Sequence, residues 1–238
     1  MPKSAVVIGT SGGIGGAFAD LLAVGDHYDC VYRLSRSASP DIAASDIFAD
    51  VTDEDSLRSA AEQLQNLGAT PDVVIVATGI LHSGSRRPER SMRELDSDWM
   101  AENYLVNAIG PALAAKHFMP LLPKKGRSVF AVLSARVGSI SDNKLGGWYG
   151  YRASKAALNM IVRNLALEAQ RKNPDAIVAA LHPGTVVTAL SAPFSGGGQN
   201  GERFTPEHSA AKLLAVIDAL TPADTGQIFD YDGHLIAP

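Results

Sequence analysis

The sequence predicts a doubly wound α/β fold: a seven-stranded, mostly parallel sheet with helices on both faces, in one domain spanning residues 1–238. Short apolar runs rich in β-branched residues alternate with helical patterns along the chain, which is typical of a sheet buried between helices. The first run, residues 4–9, leads directly into a glycine-rich turn and a helix, as a Rossmann fold begins. With 46% hydrophobic residues, the 238-residue chain can build one sizeable core.

The remaining elements follow from the same alternation. Each apolar run predicts a strand, and each longer segment with an apolar stripe predicts a helix. Strands are expected at about residues 4–9, 29–34, 47–51, 73–77, 128–133, 176–181 and 227–229. Helices are expected at about residues 17–24, 53–67, 96–122, 151–173 and 206–220. Because ligands bind where the carboxyl ends of such strands meet, the residues that follow the strands are the candidate site.

Charge and composition limit the partners. With 25 acidic and 21 basic residues, the net charge is −4 and the basic residues are scattered, so neither nucleic acid nor an anionic membrane is expected as a partner. The single cysteine, Cys30, excludes an internal disulfide, and the six histidines lack ligand spacing, so no metal site is expected. No apolar run approaches the roughly 18 residues of a membrane span. We expect a cytoplasmic protein that acts on a small molecule.

The glycine-rich turn is the first candidate binding site. Between the first strand and the first helix lie Gly9, Ser11, Gly13, Ile14 and Gly15. Glycines let such a turn tighten and let backbone N–H groups approach a pyrophosphate, whose charge is favoured at a helix N-terminus. An ordinary tight turn is the alternative, but the position after a first strand favours a dinucleotide site.

The end of the second strand indicates which dinucleotide binds. An NAD site usually has an acidic residue there for the ribose hydroxyls, whereas this chain has Ser35 and Arg36. Arg36 therefore predicts NADP(H) in preference to NAD(H), with a solvated loop arginine as the alternative. Asp50 and Val51, at the end of the third strand, are expected to border the cofactor, with Asp50 near the adenine.

Two further strands and one helix bring polar residues to the same rim. The fourth strand ends at Ala77 and Gly79, which we expect to border the cofactor, and the fifth strand delivers Ser134. In the long third helix, Pro111 lacks the N–H that would bond to the carbonyl of Asn107, so a freed carbonyl and an amide side chain lie together. A water- or lysine-binding role for Asn107 is one interpretation, and a simple kink is the other.

Tyr151 and Lys155 are the candidates for proton transfer. Four residues apart on a helix, they lie one turn apart on the same face. A cation beside a phenol favours the phenolate, which lowers the pKa of the tyrosine from its ordinary value of roughly 10. Such a group can give a proton to a substrate oxygen or take one from it. The alternative is a solvated helix face, where this pair of residues is common by chance.

The chain after the sixth strand provides the opposite side of the crevice. Residues 182–188 make a rigid turn that carries the hydroxyl of Thr188. Residues 189–205 are too long and too glycine-rich for a plain connector, and we expect a mobile substrate lid there. Trp148 and Phe194 either line a substrate pocket or merely pack within loops.

Together these motifs resemble the short-chain dehydrogenase/reductase family over essentially the whole chain. The motifs are the glycine-rich turn, Asn107-Ala-Ile-Gly110, Ser134, Tyr151-x-x-x-Lys155 and the Pro183-Gly184 turn with Thr188. Their order and spacing are far more specific than any one of them. Within the family, residues 146–159 are similar to the C-factor and sniffer-type carbonyl reductases.

The resemblance implies an NADP(H)-dependent oxidoreductase that interconverts a carbonyl and an alcohol by hydride transfer. It implies that Tyr151 protonates the carbonyl oxygen, and that Lys155 lowers the pKa of Tyr151 and binds the nicotinamide ribose. It further implies that Ser134 holds the carbonyl oxygen and that Asn107 links Lys155 to solvent through a water. The implied contacts around the nicotinamide come from Pro183, Gly184, Val186 and Thr188. Apolar faces on the two long helices favour homo-oligomers, as in many members of the family.

Three departures from the family pattern keep alternatives open. The family's catalytic serine position is Ala135 here, which leaves Ser134 one residue out of register and Ser139 as a substitute donor. The basic residue that many NADP-dependent members carry in the glycine-rich turn is absent at Gly12, and the family's Asn-Asn-Ala-Gly is Val76-Ala-Thr-Gly79. Two hypotheses therefore stand beside the reductase: an NADP(H)-binding regulatory or signalling protein with little turnover, and an enzyme of dehydration or epimerisation.

Overall fold

The computed structural model describes residues 3–38, 45–194 and 203–238. Its strands are β1 (Ser4–Ile8), β2 (Cys30–Ser35), β3 (Asp46–Phe48), β4 (Val73–Val76), β5 (Ser128–Leu133), β6 (Ala176–His182) and β7 (Ile228–Asp230). Its α-helices are α1 (Gly13–Val24), α2 (Glu54–Asn66), α3 (Ser97–Tyr104), α4 (Gly110–Phe118), α5 (Tyr149–Lys172) and α6 (Pro206–Ala219). Every expected strand is therefore present, and so is every expected helix except that the one at residues 96–122 is divided; the ends are displaced by a few residues.

The seven strands form one sheet in the order β3-β2-β1-β4-β5-β6-β7. All six pairings between neighbouring strands are parallel. Parallel neighbours need long connections, and here most of these connections contain a helix. The predicted doubly wound sheet is confirmed, and the described strands include no antiparallel member.

Alternate side chains along the strands enter two separate cores, one on each face of the sheet. In β1, Val6 and Ile8 join the core beneath α2, α4 and α5, whereas Ala5 and Val7 join the core beneath α1 and α6. This division follows from the two-residue period of a strand. Because both faces of the sheet are covered, its strands read as continuous apolar runs in the sequence.

The long helix expected at residues 96–122 is divided. After α3, residues 105–109 form one π-helical turn, in which the N–H of Gly110 donates to the carbonyl of Leu105, and α4 follows. Pro111 cannot donate a hydrogen bond, and the wider turn lies directly before it. The predicted irregularity is confirmed, and its form is a π-helical turn.

The carboxyl ends of the strands meet along one edge and form a crevice. The strand order reverses at β1, because β2 and β3 lie on one side of it and β4 to β7 on the other. Ligands of such sheets bind at this switch point. Gly9 follows β1, Ala77 follows β4, Ser134 follows β5 and Pro183 follows β6. The fold thus gathers the predicted site residues at one edge.

Candidate active site

The glycine-rich turn forms a cradle at the N-terminus of α1. Gly9 has a φ of +97°, a left-handed value that favours glycine, and its carbonyl accepts the N–H of Gly12 at 3.0 Å. A Cβ on Gly15 would overlap the carbonyl oxygen of Gly9 and lie 2.8 Å from its carbonyl carbon. Among the described residues no side chain caps α1, so its first N–H groups and the positive end of its dipole are available to an anion. The cradle fits a pyrophosphate.

The turn after β6 lies against this cradle. A Cβ on Gly13 would lie 3.1 Å from Cγ2 of Thr188. Gly184 has a φ of +75°, and a Cβ there would meet two aromatic rings at 2.9 Å. Val186 is buried, and the carbonyl of Pro183 accepts the hydroxyl of Ser209 at 2.8 Å. The resemblance implies that these four residues contact the nicotinamide. They therefore lie in a fixed turn beside the first turn of α1.

At the far end of the cradle, Ser11 and Arg36 are exposed and Ile14 is half-buried. Arg36 follows β2 and has no hydrogen bond or ion pair within the described part of the chain, whereas Arg33 pairs with Asp20 at 2.7 Å. Of these two arginines, only Arg36 has its guanidinium uncommitted among the described residues. As far as the described residues go, it can therefore reach a phosphate without first breaking an ion pair.

The ends of β3 and β4 complete this half of the rim. One carboxylate oxygen of Asp50 accepts both the N–H and the hydroxyl of Thr52, at 2.9 and 2.8 Å, so this carboxylate is partly used by its own turn. Val51 is buried, and a Cβ on Gly110 would lie 2.8 Å from its carbonyl oxygen. Ala77 lies next to Gly9, where a Cβ would be 3.1 Å from the carbonyl carbon of Ala77. The end of β3 thus packs against the start of α4, and the end of β4 packs against the glycine-rich turn.

Tyr151 and Lys155 are both buried near the start of α5. Tyr151 is 8% exposed and Lys155 is 2% exposed. The Lys155 Nζ lies 6.0 Å from the centre of the Tyr151 ring and donates to the carbonyl of Leu133, the last residue of β5, at 2.8 Å. The predicted proximity of the two side chains is observed, and the alternative of a solvated helix face is wrong.

Burial determines the proton affinities of this pair. Removal from water raises the pKa of Tyr151 to about 12 and lowers the pKa of Lys155 to about 7, because a buried site disfavours both charged forms. The sequence led us to expect a lowered pKa for Tyr151, and within the protein chain the direction is the opposite. The phenol therefore keeps its proton at neutral pH, which is the form that a general acid requires.

Asn107 is fully buried beneath the loop that follows β4. Its Nδ2 donates to the carbonyl of Ile80 at 2.9 Å, its Oδ1 accepts the N–H of Ile80 at 2.8 Å, and Nδ2 also reaches Ser154 at 3.2 Å. A Cβ on Gly79 would lie 3.4 Å from Oδ1 of Asn107 and 3.7 Å from Nζ of Lys155. Asn107, Gly79 and Lys155 therefore converge, and the Asn107 side chain fixes the loop that contains Gly79 and Ile80.

Ser134 has a different partner from the one expected. Its hydroxyl donates to Oδ1 of Asn159 at 2.7 Å, whereas Ala135 packs against Tyr151. Successive residues at the end of a strand point in opposite directions, so only one of these two positions can face the tyrosine. Ser139 is buried, and its hydroxyl accepts the N–H of Asp142 at 3.1 Å. In this structure the Ser134 hydroxyl is therefore bound to α5, and Ala135 is the residue of the two that stands with Tyr151.

An apolar wall surrounds Tyr151. It consists of Leu81 and Ala135, both buried, together with Val137, Trp148, Leu190 and Phe194. The Trp148 ring meets the Tyr151 ring edge-on at 6.2 Å and the Phe194 ring at 5.4 Å. These contacts support the interpretation of Trp148 and Phe194 as pocket-lining residues. Phe194 belongs to the segment predicted as a lid, of which residues 195–202 lie outside the described residues.

Four residues at the site were missed by the sequence reasoning. Asn159 lies four positions after Lys155, and Asn103 lies four positions before Asn107. Residues four apart share one helix face, so helical spacing could have pointed to both asparagines. Leu81 and Glu89 lie in the irregular chain after β4, where no periodic pattern marks a residue as buried. Tertiary contacts alone identify these two.

The described residues contain no group of three or more His, Cys, Asp or Glu side chains able to hold a metal ion. Across residues 3–38, 45–194 and 203–238, no helix is both long and apolar enough to cross a membrane.

Comparison with known proteins gives a family match over most of the chain. A family profile described as short chain dehydrogenase matches residues 3–197. A 1-hydroxy-2-glutathionyl-2-methyl-3-butene dehydrogenase from Rhodococcus sp. is 33% identical over 200 residues, which cover 82% of this chain and 83% of that protein. C-signal from Myxococcus xanthus is 35% identical over 144 residues, which cover 60% of this chain and 81% of that protein.

Solved structures share the fold along the whole chain. An NADPH-bound carbonyl reductase from chicken fatty liver superposes with a TM-score of 0.82 at 24% identity, covering 99% of this chain and 94% of that chain. The carbonyl reductase Sniffer of Drosophila melanogaster also superposes with a TM-score of 0.82, at 20% identity and with complete coverage of both chains.

Proposed function

Because the chain belongs to the short-chain dehydrogenase/reductase family and is an oxidoreductase, we propose that it interconverts a carbonyl and an alcohol with NADP(H), using Tyr151 as general acid and base. The observation that carries this proposal is the buried Tyr151, which keeps its proton at neutral pH and lies one helical turn from Lys155. Both residues belong to the edge of the sheet at which the glycine-rich cradle lies.

The cradle supports a dinucleotide as the cofactor. A Cβ at Gly15 would fill it, and the uncapped end of α1 offers N–H groups to the pyrophosphate. Gly9, Ser11, Gly13, Ile14 and Gly15 would hold the phosphates, and the turn with Pro183, Gly184, Val186 and Thr188 would hold the nicotinamide. When bound, NADPH supplies the hydride.

Arg36 supports NADP(H) rather than NAD(H). It follows β2 without a partner in the described part of the chain, whereas an acidic residue at this place would favour the ribose hydroxyls of NAD. A guanidinium can bind a 2′-phosphate through two parallel hydrogen bonds. The chicken carbonyl reductase, which has the same fold, was solved with NADPH bound. Asp50, Val51, Ala77 and Gly79 would border the adenosine and ribose.

Tyr151 acts on the substrate oxygen. In the reductive direction its phenol donates a proton to the oxygen as negative charge develops there, and the alkoxide is a far stronger base than a phenolate even when the pKa of the phenol is about 12. Lys155 lies near its own titration point at neutral pH, so it can present an ammonium to the cofactor ribose. The amide of Asn107 keeps Gly79 and Ile80 in place beside it.

The apolar wall supports a hydrophobic carbonyl substrate. Two aromatic rings and four aliphatic side chains pack around Tyr151. Moving a substrate from water to this wall costs less free energy for an aromatic or alkyl ketone or aldehyde than for a charged molecule. The residues between 195 and 202 would contribute the rest of the expected substrate lid.

The wall also supports a second candidate function, an NADP(H)-binding regulatory or signalling protein with little turnover. With Ala135 beside Tyr151 and the Ser134 hydroxyl bound to Asn159, a carbonyl oxygen has one hydroxyl donor where the family pattern has two. Removal of one such donor typically costs roughly 10²–10³ in kcat. The similarity to C-signal, whose name denotes a signal rather than an enzyme, favours the same candidate.

The test is reduction of a series of aromatic and aliphatic aldehydes and ketones, followed by the absorbance of NADPH. We expect turnover with apolar carbonyls, and we expect Tyr151→Phe to reduce kcat by at least about 100-fold because the proton donor is lost. NADPH affinity, measured by fluorescence titration, should stay within about twofold because the phenol is only one of many contacts. Tyr149→Phe is the matched control, since Tyr149 lies two residues earlier in α5 and is 39% exposed.

Two outcomes would oppose the proposal. Full activity in Tyr151→Phe would remove the tyrosine from the mechanism. Tight NADPH binding without turnover of any carbonyl would favour the regulatory protein instead.

We also propose that the chain forms homo-oligomers through apolar side chains left exposed on its long helical segments. These are Leu105, Ile109, Met160 and Leu167, which are 36 to 62% exposed. Exposed apolar groups of this size on neighbouring helices favour burial against a second copy. Light scattering after size-exclusion chromatography would measure the mass, and a monomer at all concentrations would oppose the proposal.

A further inference from the structure

The loop after β4 contains one buried acidic residue that no step of the proposed reaction uses. Glu89 is 2% exposed, although Arg86, Arg87 and Arg90 around it are all exposed. No cation pairs with its carboxylate among the described residues, and Oε1 has no hydrogen-bond partner there. A buried charge is costly unless something compensates for it, so the position of Glu89 needs a reason.

The compensation comes from the N-terminus of α5, which is 61 residues away in the chain. Oε2 of Glu89 accepts the N–H of Gly150, the second residue of α5, at 3.1 Å. The carbonyl of Glu89 accepts the N–H of Trp148 at 2.5 Å. Within the described residues α5 has no side-chain cap from its own N-cap residue, which is Trp148. At most helices a local Ser, Thr, Asp or Asn accepts these N–H groups, whereas here Glu89 does so from a distant loop. It acts at the N-terminal end of the helix, where the helix dipole favours negative charge.

The fit around this cap is tight. A Cβ on Gly150 would lie 3.0 Å from Oε1 of Glu89 and 3.5 Å from Nδ2 of Asn103. Asn103 is fully buried in α3, and its Oδ1 lies 3.4 Å from Nδ2 of Asn107. Glu89 and Asn103 therefore both border Gly150, and Asn103 in turn contacts Asn107, which holds the loop beside Lys155.

The cap lies directly beside the reacting group. Tyr151 follows Gly150 in α5, so a shift of the Gly150 N–H would move the backbone from which the Tyr151 side chain extends. Trp148 has a φ of 52°, and it is the one residue other than glycine with a positive φ among the described residues. Its ring packs edge-on against Tyr151. A bulky side chain in this strained conformation persists only when its surroundings hold it there, and the Glu89 carbonyl provides that hold.

We propose that Glu89 is a positioning residue that caps α5 from the loop after β4 and thereby fixes Tyr151 and Trp148 relative to the substrate. This inference rests on the proposed function, because Tyr151 must act on substrate for its orientation to matter. The cap itself does not depend on turnover. It can be measured separately through the protection of the Trp148 and Gly150 N–H groups.

Three variants test the proposal. Glu89→Ala removes the acceptor, and we expect kcat to fall by roughly 10–100-fold because a misplaced acid loses its alignment. Affinity for NADPH should stay within about twofold, since the phosphate cradle lies at α1 and Lys155 is held separately by the carbonyl of Leu133. Glu89→Gln keeps an oxygen acceptor, so it should restore most of the lost kcat, to within about fivefold of the wild type. Glu94→Ala is the matched control: Glu94 is an exposed carboxylate in the same loop that accepts the N–H of Arg90 and should leave kcat unchanged.

Hydrogen–deuterium exchange over residues 147–152 provides the readout that is independent of activity. We expect faster exchange in Glu89→Ala than in the wild type or in Glu94→Ala. If the wild type reduces no carbonyl, the proposed function fails while this exchange result still decides the cap. Unchanged exchange and unchanged kcat in Glu89→Ala would overturn the inference. A parallel loss of NADPH affinity and of kcat in Glu89→Gln would also overturn it, because that pattern indicates a general loss of structure.

Discussion

The hydroxyl of Ser134 donates to Oδ1 of Asn159 at 2.7 Å, which ties the end of β5 to α5 two helical turns beyond Tyr151. The next residue, Ala135, packs against the Tyr151 ring. The structure therefore contains a serine that holds two elements of the fold together and, directly after it, an alanine beside the Tyr151 ring.

Ala135→Ser should increase activity. The new hydroxyl would lie beside Tyr151 and offer a second hydrogen bond to the substrate oxygen. We therefore expect kcat/KM for a carbonyl substrate to rise about tenfold, which is less than the effect of a donor in an optimised position. Steady-state kinetics with NADPH measure it. Ser134→Ala should instead leave kcat within about twofold and lower the free energy of unfolding by roughly 1–2 kcal/mol, because Asn159 loses its buried partner. Loss of activity in Ser134→Ala, with no gain in Ala135→Ser, would restore Ser134 to the catalytic role.

Gly15→Ala should weaken cofactor binding strongly while leaving the sheet intact. Its Cβ would overlap the carbonyl oxygen of Gly9, which forces the cradle to open. We expect the Kd for NADPH to rise by at least about 100-fold, since the N–H groups at the start of α1 would no longer converge on the phosphates. Gly25→Ala at the other end of α1 is the control, because a Cβ there lies at an ordinary 3.4 Å from the nearest atom. Equal Kd values for the two variants would place the pyrophosphate elsewhere.

Arg36→Ala should weaken NADPH and spare NADH. A charged hydrogen bond to the 2′-phosphate contributes about 1.5–3 kcal/mol, so we expect the Kd for NADPH to rise roughly 10–100-fold and the Kd for NADH to change little. Isothermal titration with each cofactor measures both. Arg33→Ala is the matched control: this arginine pairs with Asp20 and should affect the two cofactors alike. Equal losses in Arg36→Ala would indicate that the guanidinium does not contact the phosphate.

The elements of the fold could be predicted because their signals are local. Continuous apolar runs mark each strand that is covered on both faces, and Pro111 marks the break in the third helix, since the missing N–H is a property of one residue. The glycine-rich turn is equally local: only glycine tolerates the φ of Gly9 and the contact at Gly15. The spacing of Tyr151 and Lys155 follows from the helical period.

The partners of the site residues could not be predicted in the same way, because they depend on contacts between distant segments. Whether Ser134 or Ala135 faces Tyr151 depends on how β5 ends against α5. The pKa of Tyr151 depends on burial, which a helical spacing of tyrosine and lysine does not reveal. Glu89 lies in a loop of exposed arginines, and its burial follows from a helix end 61 residues away. Sequence patterns locate such residues only when both partners share one element.

Lys155→Met should stabilise the protein most at low pH. The pKa of a lysine side chain is ordinarily 10.5 and burial lowers that of Lys155 to about 7, so between these pH values the unfolded chain binds more protons than the folded one. For this group, stability therefore rises with pH through that window, and the cost of burying the ammonium is fully present below pH 7. Methionine removes the charge while filling a similar volume, so the variant should be more stable than the wild type at pH 6.5.

The advantage of the variant should shrink by about 3 kcal/mol between pH 6.5 and 9.5, because the wild-type lysine loses its proton in the folded state while the unfolded chain keeps most of it. Urea unfolding at several pH values, followed by circular dichroism, measures the difference. Lys125→Met at an exposed position is the control, and its effect should be small and independent of pH. A constant difference between Lys155→Met and the wild type would mean that the buried amine has no lowered pKa, and that its ammonium is stabilised by groups other than the carbonyl of Leu133.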